Sequence, residues 1–169
     1  VFTNYVAKEL QEKAIMRLEA PMGSFFLRED SDKPIIFLAT GTGIAPIKGI
    51  IEHMLHNNIK RDISLYFGAR HLEDLYLNDL CEKWAAFTTH LSYSPVLSKP
   101  QKSDNWLGKT GYVQDAVLQD NLDLSAYQVY ACGSPNMIDN ARVLFIKNGL
   151  PEEEFFSDAF TFATPRPAN

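Results

Sequence analysis

Cysteine is scarce in this chain. Its 169 residues hold two, Cys81 and Cys132, far apart and in no Cys-x-x-Cys or Cys/His pairing. That spacing argues against a zinc site or an iron–sulfur cluster built here, and no metal ligand is assigned. A basic excess is missing as well: 16 Lys and Arg face 21 Asp and Glu, a net charge of −5. Nucleic-acid partners call for the opposite balance, so none is expected. No apolar run is long enough to span a bilayer, which leaves a membrane partner unsupported. Two thiols without a secretory signal fit a reducing cytoplasm, the expected location. Internal repeats and low-complexity tracts are absent too. The chain starts at Val1 rather than Met and reads as a piece of something longer.

What the chain does have is alternation. From about residue 33, short apolar runs take turns with helical spacing. Pro34 leads into Ile35-Ile36-Phe37-Leu38-Ala39, an unbroken run that predicts a strand covered on both faces. Ile47, Ile50, Ile51, Met54 and Leu55 recur at helical spacing, with Pro46 tolerable in the first turn. A second strand spans Ile63 to Phe67, and Leu77, Leu80, Cys81, Trp84 and Phe87 mark a second helix. A third strand runs from Leu91 to Leu97, where Pro95 limits how central it can be. A polar loop over 98–110 precedes a short helix after Gly111, and Val129 to Cys132 form a fourth buried strand. Ser134 and Pro135 open the next helix, Gly149 and Pro151 stop it, and the alternating tail EEFFSDAFTF makes a fifth strand.

This pattern predicts an α/β domain over residues 31–169: a doubly wound parallel sheet of order 3-2-1-4-5. Residues 1–30 break the alternation. They read as a short helix capped by Thr3 and two extended pieces around Pro21-Met22-Gly23, too little to close a barrel or build a core.

In a doubly wound sheet, ligands bind beyond the carboxyl ends of the strands, where the winding reverses. Two turns leave such ends, Thr40-Gly41-Thr42-Gly43 and Cys132-Gly133-Ser134-Pro135, and the expected order makes them neighbours. Glycines let backbone approach a pyrophosphate, and a following helix N-terminus offers free N–H groups. The first turn is neither a Walker A loop nor G-x-G-x-x-G, since Pro46 follows Gly41 and Gly43. By itself it fits a phosphate cradle and a plain strand-to-helix turn equally well. Cys132 reads as a small buried hydrophobe or as a reactive thiol. Arg70, ending the second strand, reads as a 2′-phosphate reader or as a surface cation. His53 and His56 lie three apart on a solvated helix face, and His71 and His90 show no partner. Phe155, Phe156, Phe160 and Phe162 suit a core, with one free to stack on a flat cofactor ring.

Taken together, GTGIAP (41–46), YFGAR (66–70), WLGKTGYV (106–113), YACGSPNMID (130–139) and FFSDAF (155–160) resemble the nucleotide-binding domain of the ferredoxin–NADP reductase superfamily. The pieces follow the family's order over nearly the whole chain. GYVQDAV, CGSPNMIDNAR and FFSDAF are similar to reductases of the CDP-6-deoxy-3,4-glucoseen type. NAD(P)H-flavin reductases and the reductases of multicomponent oxygenases share the general pattern.

The resemblance implies a flavin-binding barrel followed by this NAD(P)H domain, with residues 1–30 the end of the barrel. Thr3 would contact the FAD pyrophosphate. Thr40, Gly41, Thr42, Gly43 and Pro46 would cradle the NADH or NADPH pyrophosphate, with Ser134 beside them. Cys132 and Gly133 would pack against nicotinamide, and Phe160 would lie near the isoalloxazine. The family's upstream Arg-x-Tyr-Ser/Thr flavin motif is absent, so the FAD site in this chain is incomplete and the chain alone is expected to be inactive. The implied activity is hydride transfer from NAD(P)H to FAD, then electron transfer to an acceptor protein with an iron–sulfur centre, deoxysugar formation being one destination. A [2Fe–2S] cluster of the reductase itself would need a further domain. Two other readings stand beside it: a flavin reductase releasing reduced flavin, and a nucleotide-binding module without turnover. Glu73 and Asp74 beside Arg70 would repel a 2′-phosphate, which favours NADH.

Overall fold

The sheet is built around one strand that has no solvent face. In the computed structural model, which describes residues 2–17, 19 and 23–159 (the side chains of Phe2 and Thr3 excepted), β1 spans Ile35–Thr40 and is buried from Ile35 to Ala39. Side chains alternate across a strand. Ile35, Phe37 and Ala39 therefore enter one core and Ile36 and Leu38 the other. On the first face lie α2 (Ile44–His56) and α3 (Asn78–Phe87), contributing Ile47, Ile51, Met54, Cys81 and Trp84. On the second lie α4 (Val113–Asp120) and α5 (Pro135–Lys147), contributing Val113, Val117, Ile138, Ala141 and Phe145. The helix α1 (Phe2–Lys8) precedes this unit.

Six parallel strands pair in the order β4-β3-β2-β1-β5-β6. They are β2 (Ile63–Ala69), β3 (Leu91–Leu97), β4 (Lys109–Thr110), β5 (Gln128–Gly133) and β6 (Phe155–Ala159), besides β1. The five expected strands keep their 3-2-1-4-5 order. The addition is β4, two residues beside Val96 and Leu97, too short to leave a periodic signal. Its shortness also explains Pro95. Gly111 donates its N–H to the Leu97 carbonyl at 3.0 Å, so the odd-numbered backbone groups of β3 face the β4 side. The missing N–H of Pro95 falls where β4 has not yet begun.

Several local expectations need correction. Leu55 and Phe87, placed on inner helix faces, are exposed, because each lies in the last turn of its helix. Ser134 takes the N-cap position of α5, but its side chain makes no capping hydrogen bond. Thr3 lies inside α1 rather than in front of it. Among the described residues between α1 and β1, none pairs as a strand.

At the amino end of the sheet a buried polar network ties residues 28–33 to the strands. Arg61, just before β2, is 5% exposed. Its guanidinium donates to the carbonyl of Lys33 through Nε and Nη2, to that of Arg28 (3.0 Å) and to Gln128 Oε1 (2.8 Å). Gln128 Nε2 donates to Glu154 (2.8 Å), and Lys33 Nζ reaches the same carboxylate at 2.6 Å. Burial alone would raise the pKa of Glu154, but the hydrogen bonds from Lys33 and Gln128 outweigh it and hold it below the ordinary value. The Arg28 N–H donates to the Tyr130 hydroxyl at 2.9 Å. Above these bonds Phe25 meets Tyr130 edge-on at 6.0 Å, and Leu27 is buried.

Burial pushes the thiols of Cys81 and Cys132 up to about 12, and raises the phenols of Tyr66 and Tyr93 well above their usual range. Unfolding returns these acids to lower pKa, so their stabilising share is complete below the unfolded thiol value and is lost as pH rises through the folded one. The urea midpoint should hold steady from pH 7 to about 8.5, the unfolded thiol pKa, and then fall steadily toward pH 11. Cys81→Ala should make that fall shallower.

Candidate functional site

The sequence of windings decides where the cleft opens. From β1 the chain moves outward through β2 and β3 with helices on one face, then returns to β5 on the other side of β1 with helices on the opposite face. The reversal falls between β1 and β5. Beyond their carboxyl ends, and extending over β2 and β3, lies a cleft of about 960 Å³.

Thr40, Gly41 and Thr42 form one wall and Ser134 another. The two turns pack directly on each other: Ser134 donates its N–H to Thr40 Oγ1 at 3.1 Å. Gly133 has φ +139, and a Cβ there would sit 2.3 Å from Thr40 Oγ1. A Cβ on Gly43 would come within 2.1 Å of the Cys132 carbonyl oxygen. Glycine at these two positions is what lets the two turns touch. Gly41 differs: its φ is +53, and a Cβ would meet nothing within 4 Å, so the backbone there faces the cleft bare.

The electrostatics match an anion at this end. Neither α2 nor α5 carries an acidic residue in its first turn, so both partial positive ends point at the cleft uncompensated. Farther along, Arg70, Glu73 and Asp74 line the cleft beyond β2. Asp74 is committed to its own turn, accepting the His71 N–H at 3.1 Å, which leaves Glu73 the freer acid. Tyr112, two-thirds exposed at the start of α4, and Tyr76 offer aromatic faces at the rim.

Thr40, Gly41, Thr42, Arg70 and Ser134 thus come together around one cleft, with Gly43 and Gly133 packed beneath the turns. Pro46 does not line it. As third residue of α2 it occupies a place where no intrahelical N–H bond is lost. Cys132 does not reach it either: its side chain is fully buried in the core below the Gly133 turn, and its raised pKa keeps the thiol neutral. Phe160 and the Thr3 side chain lie outside the described residues. Of the other phenylalanines, Phe155 is core, while Phe156 stacks on Tyr130 at 4.9 Å. Three of the four histidines have partners the sequence did not reveal: His53 with Glu29 (2.8 Å), His71 with the Lys99 carbonyl (2.8 Å) and His90 with Asp62 (3.2 Å). Among the described residues no three His, Cys, Asp or Glu side chains are grouped to hold a metal, and no helix is long and apolar enough to cross a membrane.

Gly68, Ser98, Gln114, Asn136, Met137 and Asn140 also line the cleft, although sequence reasoning missed them as site residues. Gly68 had a signal in its strand-end position: a Cβ there would lie 2.8 Å from Val113 Cβ, so β2 and the start of α4 close up only over glycine. Gln114 and Asn136 sit in the first turns of α4 and α5 and Asn140 in the second turn of α5, and none carries a spacing signal of its own.

Fold and cleft define a doubly wound α/β domain with an open cleft at its switch point. The sequence pattern of the oxidoreductase NAD-binding domain matches residues 37–143. The chain belongs to that family, within the ferredoxin reductase group. It is 44% identical over 160 residues to the CDP-6-deoxy-L-threo-D-glycero-4-hexulose-3-dehydrase reductase of Yersinia pestis, covering 95% of this chain and 47% of the relative. The NAD(P)H-flavin reductase of Aliivibrio fischeri is 35% identical over 146 residues, 86% of this chain and 61% of that one. Among solved structures, the Amycolatopsis cytochrome P450 reductase GcoB superposes with a TM-score of 0.77 at 27% identity, covering 86% of this chain and 44% of its own. The chain spans about half the length of the first curated relatives it matches.

Two alanine substitutions separate the turn from its helix. Gly43→Ala forces a Cβ into the Cys132 backbone and should lower stability by about 2 kcal/mol or more. Gly49→Ala, inside α2 with open space around it, should raise stability by about 0.5–1 kcal/mol. Paired urea titrations check both signs.

Proposed function

We propose that this chain is the NAD(P)H-binding part of a flavin-dependent electron-transfer reductase. The observation that carries the reading is the convergence of two acid-free helix N-termini and the bare Gly41 backbone on a single cleft at the switch point. The glycines leave the room a nicotinamide dinucleotide's pyrophosphate needs, and a cleft of about 960 Å³ is ample for the rest. The residues fit the group.

When bound, the coenzyme supplies a hydride at the nicotinamide ring for a flavin acceptor. The chain's share is geometry. The backbone of Gly41 and Thr42, in the turn that leads into α2, would hold the anion, while Thr40 fixes the Ser134 turn by accepting its N–H. Ser134 and Asn136 bound the cleft on the β5 side. Cys132 supports the turn from below and moves no proton. Arg70 and Glu73 line the cleft beyond β2, where the adenosine ribose would lie, and Glu73 would disfavour a 2′-phosphate there, which favours NADH.

The flavin-binding barrel belongs, on this reading, to the same polypeptide, residues 1–30 being its end and 31–169 the NAD(P)H domain. The electrons pass on to an iron–sulfur protein. Relatedness to a hexulose-dehydrase reductase favours a deoxysugar-forming dehydrase as that acceptor. A second reading, release of reduced flavin, is favoured by the A. fischeri relative. The two diverge in whether flavin stays bound during turnover.

Stopped-flow mixing of the full-length protein with NADH should bleach the flavin absorbance; no bleaching with either coenzyme overturns the proposal. Gly41→Ala places a methyl group in the cleft at a strained φ and should weaken coenzyme binding about tenfold or more, some 1.4 kcal/mol, by fluorescence titration. Glu73→Gln should raise the kcat/KM ratio of NADPH to NADH by about tenfold, with little change for NADH. An unchanged ratio would remove Glu73 from coenzyme selection.

A further inference from the structure

The network around Arg61 is unusual in what it serves. Two of the three groups that accept from its guanidinium, the Arg28 and Lys33 carbonyls, belong to the segment entering the domain from the N-terminal side. The third, Gln128, starts β5 and passes the connection on to Glu154 next to β6. A buried cation contributes less net stability than apolar residues of the same volume would. Its five directed donors give something apolar packing does not, a fixed direction for the backbone they hold. The same segment is held along its length. Arg28 donates its N–H to Tyr130, and its guanidinium lies 3.9 Å from the Phe26 ring centroid and 4.5 Å from that of Phe156. Phe156 is on β6 and stacks on Tyr130 of β5, so the segment is pinned to the two strands on the far side of the switch point.

We propose that Arg61 is a positioning residue for hydride transfer: by clamping residues 28–33 to the amino ends of β1, β2 and β5, it sets the orientation of the preceding flavin-binding part against the coenzyme cleft. This rests on the reading of the chain as the NAD(P)H-binding part of a flavin-dependent reductase. Arg61 does not line the coenzyme cleft. It acts because a displacement of about 1 Å between reacting groups costs on the order of a hundredfold in rate.

The test uses the full-length flavoprotein with Arg61→Met, Arg61→Lys and Tyr130→Phe. Stopped-flow bleaching by NADH reads the reduction rate, and titration with NAD+ reads coenzyme affinity. Arg61→Met should slow reduction about tenfold or more while the dissociation constant stays within about twofold, because the cleft lies at the opposite end of the sheet. Arg61→Lys, which keeps the charge but reaches fewer acceptors, should recover part of the rate. Tyr130→Phe keeps the core volume and removes the acceptor for the Arg28 N–H together with the long hydroxyl contact to Gln128 Oε1 (3.4 Å), so it should show the same split at smaller size even if Arg61→Met does not fold. A reduction rate within about twofold of wild type in either folded variant overturns the proposal, as does a parallel loss of rate and affinity. A wild-type protein that NADH and NADPH both fail to bleach takes down the functional reading, and this inference with it.

Discussion

The closeness of two turns governs the site. Parallel neighbours β1 and β5 deliver their carboxyl ends side by side, and the helices α2 and α5 must then depart in opposite directions to cover opposite faces. The turns touch because Gly43 lies against the Cys132 carbonyl and Gly133 against Thr40, where a Cβ would come within 2.1 and 2.3 Å. That contact aims the starts of α2 and α5 at the same space. With an ordinary side chain at either glycine the turns would part, and the two helix termini would no longer share a ligand.

The sheet also has a chemical polarity. Its carboxyl end presents open backbone at Gly41, with no acid in the first turns of α2 or α5 to offset their partial positive ends. The amino end is the reverse: Arg61, Gln128, Glu154 and Tyr130 satisfy one another and the backbone of residues 28–33. One end stays open for a ligand, and the other uses its hydrogen bonds to hold the chain. The proposed reductase, divided between a flavin part and a nicotinamide part, would need both, since hydride transfer tolerates little error in distance.

Much of the fold was legible because burial on two faces leaves a strong trace. The run Ile35 to Ala39 has no polar break, and Met137, Ile138, Ala141 and Phe145 repeat at helical spacing and are buried as that spacing requires. The inner faces failed only at helix ends, where Leu55 and Phe87 have no neighbour to cover them. β4 was invisible because two residues carry no period. In the cleft, glycines and threonines at strand ends could be found, since backbone geometry restricts what may stand there. Gln114, Asn136 and Asn140 could not, because a polar residue near the start of a helix looks the same whether it faces a cleft or water.

The sequence by itself therefore determined the α/β alternation, the strand order around β1, the two turns that meet, and through its ordered motifs the family. Those are properties of local periodicity and of residues that backbone conformation demands. Tertiary structure alone decided that Cys132 lies under its turn rather than in the cleft, that Pro46 stands aside, that Asp74 is occupied and Glu73 free, and that Arg61 grips a segment about thirty residues away. Those depend on which way side chains point and on partners distant in the chain, such as Lys33 with Glu154, and neither is encoded in any short stretch of residues.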